Sequence, residues 1–346
     1  MNNQNITEWY KKAGAEGDVV VSTRIRLARN LRKYPFPCRL STEQKKQVVE
    51  EVKNAVQDAD SELTPRFRFV NMETISDMEA VALVERHLVS PEFISERAGR
   101  GLLLLDDESV SIMINEEDHL RVQVMGEGLN LETLYETASK LDGRLDERLA
   151  FAFEEKLGYL TQCPTNLGTG MRASVMLHLP AIQESGGIQR IAGGLSKIGL
   201  TIRGMYGEHS GSAGSLYQLS NQVTLGLSEE AALENLKGIT MQLCTQERAA
   251  RETLLSNIQI QDSIWRSLGI LKNARRLESG EFMAMISRLR LGVSCGLIDV
   301  LTLDRINQMI VEAQPATLMQ SYGSSCSPEE RDMFRAQRVR ENFKEE

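Results

Sequence analysis

Residues 101–124 read GLLLLDDESVSIMINEEDHLRVQV, and this stretch decides the fold. Two apolar runs, Leu102–Leu105 and Val110–Ile114, are joined by the polar Asp106-Asp107-Glu108, which predicts a β-hairpin. Arg121-Val122-Gln123-Val124 then alternates apolar and polar residues, the period of a further strand. Working outward, Asp18 to Leu27 opens with Val19-Val20-Val21 and reads as a strand, as do Phe67 to Met72, Val175 to Leu179 and Tyr217 to Leu225. Helices are predicted from a cap at Ser41-Thr42-Glu43 through Asp58, over Met78 to Leu88 with Pro91 closing it, over Leu129 to Leu157 ending at Gly158, and over Ile188 to Ile198. Ser228-Glu229-Glu230 starts a long one that runs past Arg251. Beyond about residue 255 the strand signals stop, and Ile258–Leu277, Gly280–Gly292, Thr302–Gln314 and Ser327 onward all read as helices. The expected fold class is therefore α+β, an antiparallel sheet with helices over residues 1–254, followed by a small all-α domain over 255–346.

The bulk properties narrow the function. At 346 residues the chain has length for two domains, and 41% apolar with 25% charged residues is ordinary for a globular protein. No apolar run reaches 18 residues, and Met1 to Tyr10 lacks a basic-then-apolar leader. Cys38, Cys163, Cys244, Cys295 and Cys326 are dispersed, which reads as reduced thiols in a cytoplasm and as no zinc site. Of the 40 basic and 48 acidic residues, 13 of each lie from Arg251 onward, so the net charge of −8 falls wholly before it. Such a segment repels nucleic acid, and an anion site in it must be built from locally focused arginines.

Three constellations carry chemistry. Ser22-Thr23-Arg24-Ile25-Arg26 places two arginines on one face of a strand, because side chains alternate with period two. Arg121 begins another strand, Arg172 follows a glycine-rich turn, and Arg203 stands beside Gly204. Their planar forks match phosphate oxygens, although each read singly fits a solvated strand edge better. The second constellation is Asn115-Glu116-Glu117-Asp118-His119, either a polar turn or carboxylates aimed at a cation. Guanidinium keeps its proton in water, so a kinase acting on it needs carboxylates that grip its nitrogens and accept a proton. Glu208, on a loop with Gly204 and Gly207, is the candidate second carboxylate. The third is Cys163-Pro164-Thr165-Asn166-Leu167-Gly168-Thr169-Gly170, whose cysteine is either a small filler or a site residue. No Gly-Lys-Ser/Thr follows this turn and no His-Arg-Asp or Asp-Phe-Gly set is present, which excludes a Walker loop and the protein-kinase fold.

Taken in order, Ser22–Asn30, Asn115–Arg121, Cys163–Val175 and Arg203–Glu208 resemble the successive signatures of the phosphagen (guanidino) kinases, over roughly residues 18 to 250, and come nearest to the bacterial protein-arginine kinases of that family. The resemblance implies the family's catalytic fold, with ATP and Mg²⁺ as cofactors. It implies that Arg24, Arg26, Arg121, Arg172 and Arg203 cradle the nucleotide phosphates. Ser22, Thr23, Ile25, His87, Ala173, Ser174, Val175, Met176, Gly204, Met205, Tyr206, Gly207 and Glu208 complete that pocket by the same resemblance. Glu117 and Glu208 would hold the guanidinium with Cys163 beside it, and Mg²⁺ would ride on the phosphates with no protein ligand.

Two departures bear on the substrate. Only 21 residues precede the arginine strand, where kinases of metabolites carry a helical domain that grips the amino-acid end of their substrate; an open cleft suits arginine within a polypeptide. Tyr206 stands where kinases of free arginine place another arginine, which removes one phosphate contact from the analogy. In the tail, Ser327, Pro328 and Glu330 predict a capped helix that carries Arg331, Arg335 and Arg338 on one face. By itself this is a charged, solvated face. Yet Arg331, Asp332, Arg335 and Ala336 resemble a phosphoarginine-reading motif of the protein-arginine kinases. The resemblance further implies stress-response work in the cytoplasm: marking proteins for a Clp-type AAA+ protease, inactivating a heat-shock transcriptional repressor, and a zinc-binding activator protein. A homodimer or higher oligomer is expected, with no direct nucleic acid or membrane contact. The remaining alternatives are a kinase of free arginine or another small guanidino compound, and a non-catalytic adaptor that binds phosphoarginine.

Overall fold

The computed structural model describes residues 9–58, 66–205, 213–323 and 326–343. The elements in chain order are β1 (Val20–Arg29), α1 (Thr42–Asp58), β2 (Phe67–Asn71), α2 (Asp77–Glu85), α3 (Pro91–Ser95), β3 (Gly101–Leu105), β4 (Val110–Ile114), β5 (Leu120–Glu127) and α4 (Leu131–Leu149). They continue with β6 (Phe153–Glu154), β7 (Gly158–Tyr159), β8 (Met171–His178), α5 (Pro180–Glu184), α6 (Gly187–Ser196), β9 (Leu200–Gly204), β10 (Leu216–Asn221) and α7 (Glu229–Leu255). The last five are α8 (Ile258–Asn273), α9 (Ser279–Ser294), α10 (Leu303–Glu312), α11 (Pro315–Tyr322) and α12 (Pro328–Glu341).

Eight strands form one antiparallel sheet in the order β2-β3-β4-β5-β1-β8-β10-β9, with the first arginine-bearing strand in its centre. Strand alternation gives the sheet two unlike faces. Ile25 and Leu27 face the same way as Val122, Val124, Ala173 and Val175, and all six join a core completed by Val48 and Val52 of α1, Leu141 and Leu145 of α4, and Leu233 and Leu236 of α7. Burying these helices on one face leaves the opposite face to the polar residues of the same strands. A second core gathers α8, α9, α10 and α12, and reaches the sheet through Val21 and Leu216.

Buried arginines tie this helical region to the rest. Arg290 of α9 donates to the carbonyls of Gly17 (2.7 Å) and Asp18 (2.8 Å) and to Asn307 Oδ1 (3.1 Å). Arg251 of α7 pairs with Glu247 (2.8 Å) and reaches the carbonyls of Asp18 and His178. At the other end of the sheet Glu85 accepts the first N–H groups of α11, Ala316 at 2.9 Å and Thr317 at 2.7 Å, which satisfies donors a helix start leaves open.

Several boundaries differ from those the sequence predicts. The helix expected over Leu129 to Leu157 stops at Leu149, because Ala150 turns left-handed (φ 51°) and Asp146 accepts the N–H of Phe151 at 2.7 Å. From there the chain pairs Phe151 with Leu31 and folds into the small β6–β7 hairpin. Pro91 does not close α2; it opens α3, capped by Ser90. Strand β9 and helix α11 escape the sequence reading, since five and eight residues carry little periodicity. The α12 face is not solvated throughout: Arg335 is fully buried, donating to the carbonyls of Ala313 (2.9 Å) and Leu277 (2.8 Å) and to Asp332 (2.8 Å). The capping box at Ser327 and Glu330 is present.

Candidate active site

The polar face of the sheet gathers the arginines by register alone. Arg24 lies opposite Ser174, Arg26 opposite Arg172 and Gln123, Ala28 opposite Arg121, and Gln218 opposite Arg203. Residues directly opposite project to the same side, so Arg24, Arg26, Arg121, Arg172 and Arg203 share one face. Thr23, Ile25, Ala173 and Val175 point to the other, where the last three are core residues and Thr23 donates to the carbonyl of Gly128 at 2.6 Å.

A cavity of about 1010 Å³ opens over this face, lined among others by Arg24, Arg26, His87, Glu117, Arg121 and Met205. A smaller recess beside it is shared by Arg26, Glu117, Arg121, Cys163 and Arg172. Ser22, Arg24, His87, Ser174 and Met176 line a third, minor one. Tyr206, Gly207 and Glu208 lie outside the described residues.

Positive charge is packed here against its own repulsion. Arg24 donates to Gln218 Oε1 at 2.6 Å and to Ser174 Oγ at 3.4 Å, both neutral. Burial first, then Arg121 and Arg172, push it down to about 10. Arg26 is driven well below its ordinary value by burial and by Arg24, Arg121 and Arg172. Arg172 is lowered by burial and by Arg121 and Arg203. The Nε atoms of Arg26 and Arg172 are buried, and no acceptor meets them among the described residues. Desolvated donors without partners cost stability, so a bound polyanion relieves both the repulsion and the orphaned N–H groups.

The five-residue run 115–119 divides its labour. Asn115 adopts φ 63° and donates to the carbonyls of Lys45 and Gly99, both at 2.8 Å, which fixes the turn. Glu116 is buried, pairs with Arg121 at 2.5 Å and accepts the Ser90 hydroxyl. Asp118 accepts Asn30 Nδ2 (2.6 Å) and the N–H of Gln162 (2.8 Å), while burial raises its pKa. His119 Nδ1 accepts the N–H of Leu31 at 3.1 Å, and burial holds the ring at about 4, neutral. Glu117 alone has no ion pair or hydrogen bond tying it to a described residue, and it lines both cavities. Cys163 Sγ contacts Thr165 Oγ1 at 3.1 Å at the start of the turn that walls the smaller recess. His87, with φ 60° and a buried Nε2 that has no hydrogen-bond partner among the described residues, is lowered to about 4 by burial and by Arg24. Gln218, Ser90 and Lys45 also line the main cavity, and single polar residues of this kind give no signal in a sequence.

Comparison with known proteins decides what this geometry belongs to. Residues 47–250 match the ATP:guanido phosphotransferase C-terminal catalytic domain, and residues 257–346 match the protein-arginine kinase McsB C-terminal domain. A protein-arginine kinase of Halothermothrix orenii is 46% identical over 98% of this chain and 97% of its own, and one of Desulforamulus reducens is 45% identical over 97% and 95%. The chain belongs to the protein-arginine kinase family. Its fold is that of the phosphagen kinases: a crystal structure of lombricine kinase superposes with a TM-score of 0.60 at 26% identity over 68% of each chain. The duplicated taurocyamine kinase of Schistosoma mansoni, solved with transition-state-analogue components, gives 0.60 at 28% identity over 71% of this chain and 36% of that one. The expected α+β phosphotransferase fold and helical C-terminal region are thus those of this kinase family.

The family implies ATP, and typically Mg²⁺. Orphaned buried donors on a cluster of arginines suit a triphosphate. Among the described residues no group of three or more His, Cys, Asp or Glu is placed to hold a metal ion.

Proposed function

We propose that this chain transfers the γ-phosphoryl group of ATP to arginine side chains of proteins, giving ADP and protein Nω-phospho-L-arginine. The observation that carries the reading is a single sheet face on which five arginines meet while Glu117, beside them, is tied to no other described residue. In this reading Arg24, Arg26, Arg121, Arg172 and Arg203 hold the phosphates and stabilise charge on the transferring group, the largest contribution in phosphoryl transfer. Bound Mg²⁺ would neutralise phosphate charge, riding on the nucleotide and water. Glu117 orients the target guanidinium and takes its proton as the nitrogen–phosphorus bond forms and the bond to the bridging oxygen of ADP breaks. Glu208 shares the guanidinium, and Cys163 packs beside it.

Full-length identity of 45–46% to protein-arginine kinases supports a protein substrate. The likeness to lombricine kinase favours, as a second reading, a small guanidino compound. Incubating the protein with MgATP, an arginine-rich unfolded protein and free arginine separates them. The reading expects acid-labile phosphate on the protein's arginines, detected by mass spectrometry under non-acidic conditions. Phosphate on free arginine alone would leave the second reading.

In the tail, the buried Arg331 Nε and Arg335 Nη2 meet no acceptor among the described residues, which supports phosphoarginine binding by Arg331, Asp332, Arg335 and Ala336 over residues 255–346. Cytoplasmic stress-response work, delivery of marked proteins to a Clp-type protease, inactivation of a heat-shock repressor, a zinc-binding activator and self-association complete the proposal.

A further inference from the structure

An exposed apolar strip lies on the two segments bonded to the turn that carries Cys163. Phe153 (51% exposed), Leu157 (43%), Val223 (42%), Leu225 (49%) and Leu227 (47%) all leave much of their surface to solvent. They come from the β6–β7 hairpin and from the segment between β10 and α7. The two segments are stitched to each other through that turn. Gly158 and Tyr159 bridge to Gly168, the Thr224 hydroxyl donates to the carbonyls of Thr165 (3.0 Å) and Leu167 (2.7 Å), and Thr169 N–H donates to the Thr224 carbonyl (3.0 Å). The packing is tight enough that a Cβ on Gly168 would stand 2.8 Å from the Leu225 Cα. The hairpin is also held from below, where the Arg29 guanidinium stacks 3.4 Å from the Tyr159 ring and pairs with Asp142 at 2.8 Å. The turn Cys163 to Asn166 therefore lines the recess of Glu117 and is bonded through Thr165 to the segment that carries the strip.

Exposed apolar side chains on a rigid support, set in a row, mark a surface that meets another molecule. The charges around them say which kind. Glu154 and Glu155 of the hairpin, and Glu229 and Glu230 that open α7 directly after the second segment, stand against the single basic Lys156. An acidic rim around an apolar row complements a basic polypeptide with apolar side chains and repels acidic ones. We propose that the strip is the docking surface for the substrate polypeptide, receiving apolar residues that flank the target arginine in an extended or unfolded segment. This rests on the protein-arginine reading and deepens it: affinity comes from the flanks, while the arginine enters the recess of Glu117. Preference for arginines beside apolar residues follows, and such sequences are exposed when a protein unfolds.

The test compares the full-length protein with Leu225→Glu and with the double variant Leu157→Ser/Leu225→Ser, using carboxymethylated, permanently unfolded lysozyme and a short arginine peptide without apolar residues. Expected are a KM for the unfolded protein raised about tenfold or more, unchanged kcat and MgADP affinity, and unchanged turnover of the short peptide. Raising the salt to 0.5 M should weaken the protein substrate's KM in the wild type as the acidic rim is screened. A KM within twofold of wild type in both variants would overturn the docking surface while leaving the parent reading intact. A wild type that phosphorylates no protein would overturn both. Loss of an oligomer in Leu225→Glu, read by light scattering, would assign the strip to a second copy and overturn it too.

Discussion

Two sets of arginines in this molecule differ in what their forks meet, and that difference separates structure from chemistry. Arg251 and Arg290 spend their forks on protein acceptors: the carbonyls of Gly17, Asp18 and His178, and the carboxylates of Glu247 and Asp18. Arg24, Arg26 and Arg172 are half-buried and face one another, with neutral partners for Arg24 and none among the described residues for the buried Nε atoms of the other two. Burial lowers the partnered Arg290 to about 9 much as it lowers Arg24 to about 10. Burial alone therefore does not mark a site. An inventory of acceptors does, because an unpartnered buried guanidinium is tolerated only where a ligand completes it.

The difference can be broken or sharpened by substitution. The largest effect belongs to Glu117→Ala, which removes the free carboxylate beside the arginines: kcat should fall about 10³-fold, within the range for a lost general base, with thermal stability unchanged. A loss below tenfold in single-turnover assays would remove Glu117 from the chemistry. Arg290→Met does the reverse. It orphans the Gly17 and Asp18 carbonyls and should lower the unfolding free energy by roughly 3 kcal/mol in urea titration. The surviving folded fraction should bind MgADP as the wild type does. An Arg290→Met protein of full stability but without nucleotide affinity would erase the contrast between the two sets.

A smaller effect follows from pH. His87 and His119 sit at about 4, below the ordinary 6.5, chiefly through burial. The unfolded chain takes up protons below pH 6.5 while the fold refuses them until about 4, so stability present above 6.5 is lost as pH falls through that window. Unfolding free energies from urea titration at pH 7 and 4.5 should differ by on the order of 3 kcal/mol, and His119→Asn should flatten the slope. A slope of opposite sign would contradict neutral, buried rings. Smallest is a shift in His87 itself. MgADP cancels the charge of Arg24, so its NMR titration midpoint should rise by about one pH unit, whereas that of His178, beside Arg251 and Arg290, should stay put.

Much of this was readable before any coordinates. The hairpin of residues 101–114 and the arginine spacing in β1 specify an antiparallel sheet with one polar face, because a period of two admits no other arrangement. Which of the three acids from Glu116 to Asp118 is free was not readable: it depends on Ser90, Asn30 and Gln162, which approach only through tertiary packing. The overlong prediction for α4 failed for a similar reason, since Asp146 and Leu31 terminate that helix through contacts outside its own pattern. Arg335 looked solvated by its spacing and is buried, because α12 packs its arginine face onto the carbonyls of Ala313 and Leu277.

The most direct test of the unpartnered arginine cluster is calorimetric titration of MgADP into wild type and into Arg24→Met/Arg26→Met. The account predicts that the double variant folds at least as stably, being relieved of buried like charges, and binds MgADP more than 100-fold more weakly. Undiminished binding by a folded double variant would show that the nucleotide lies elsewhere and would contradict it.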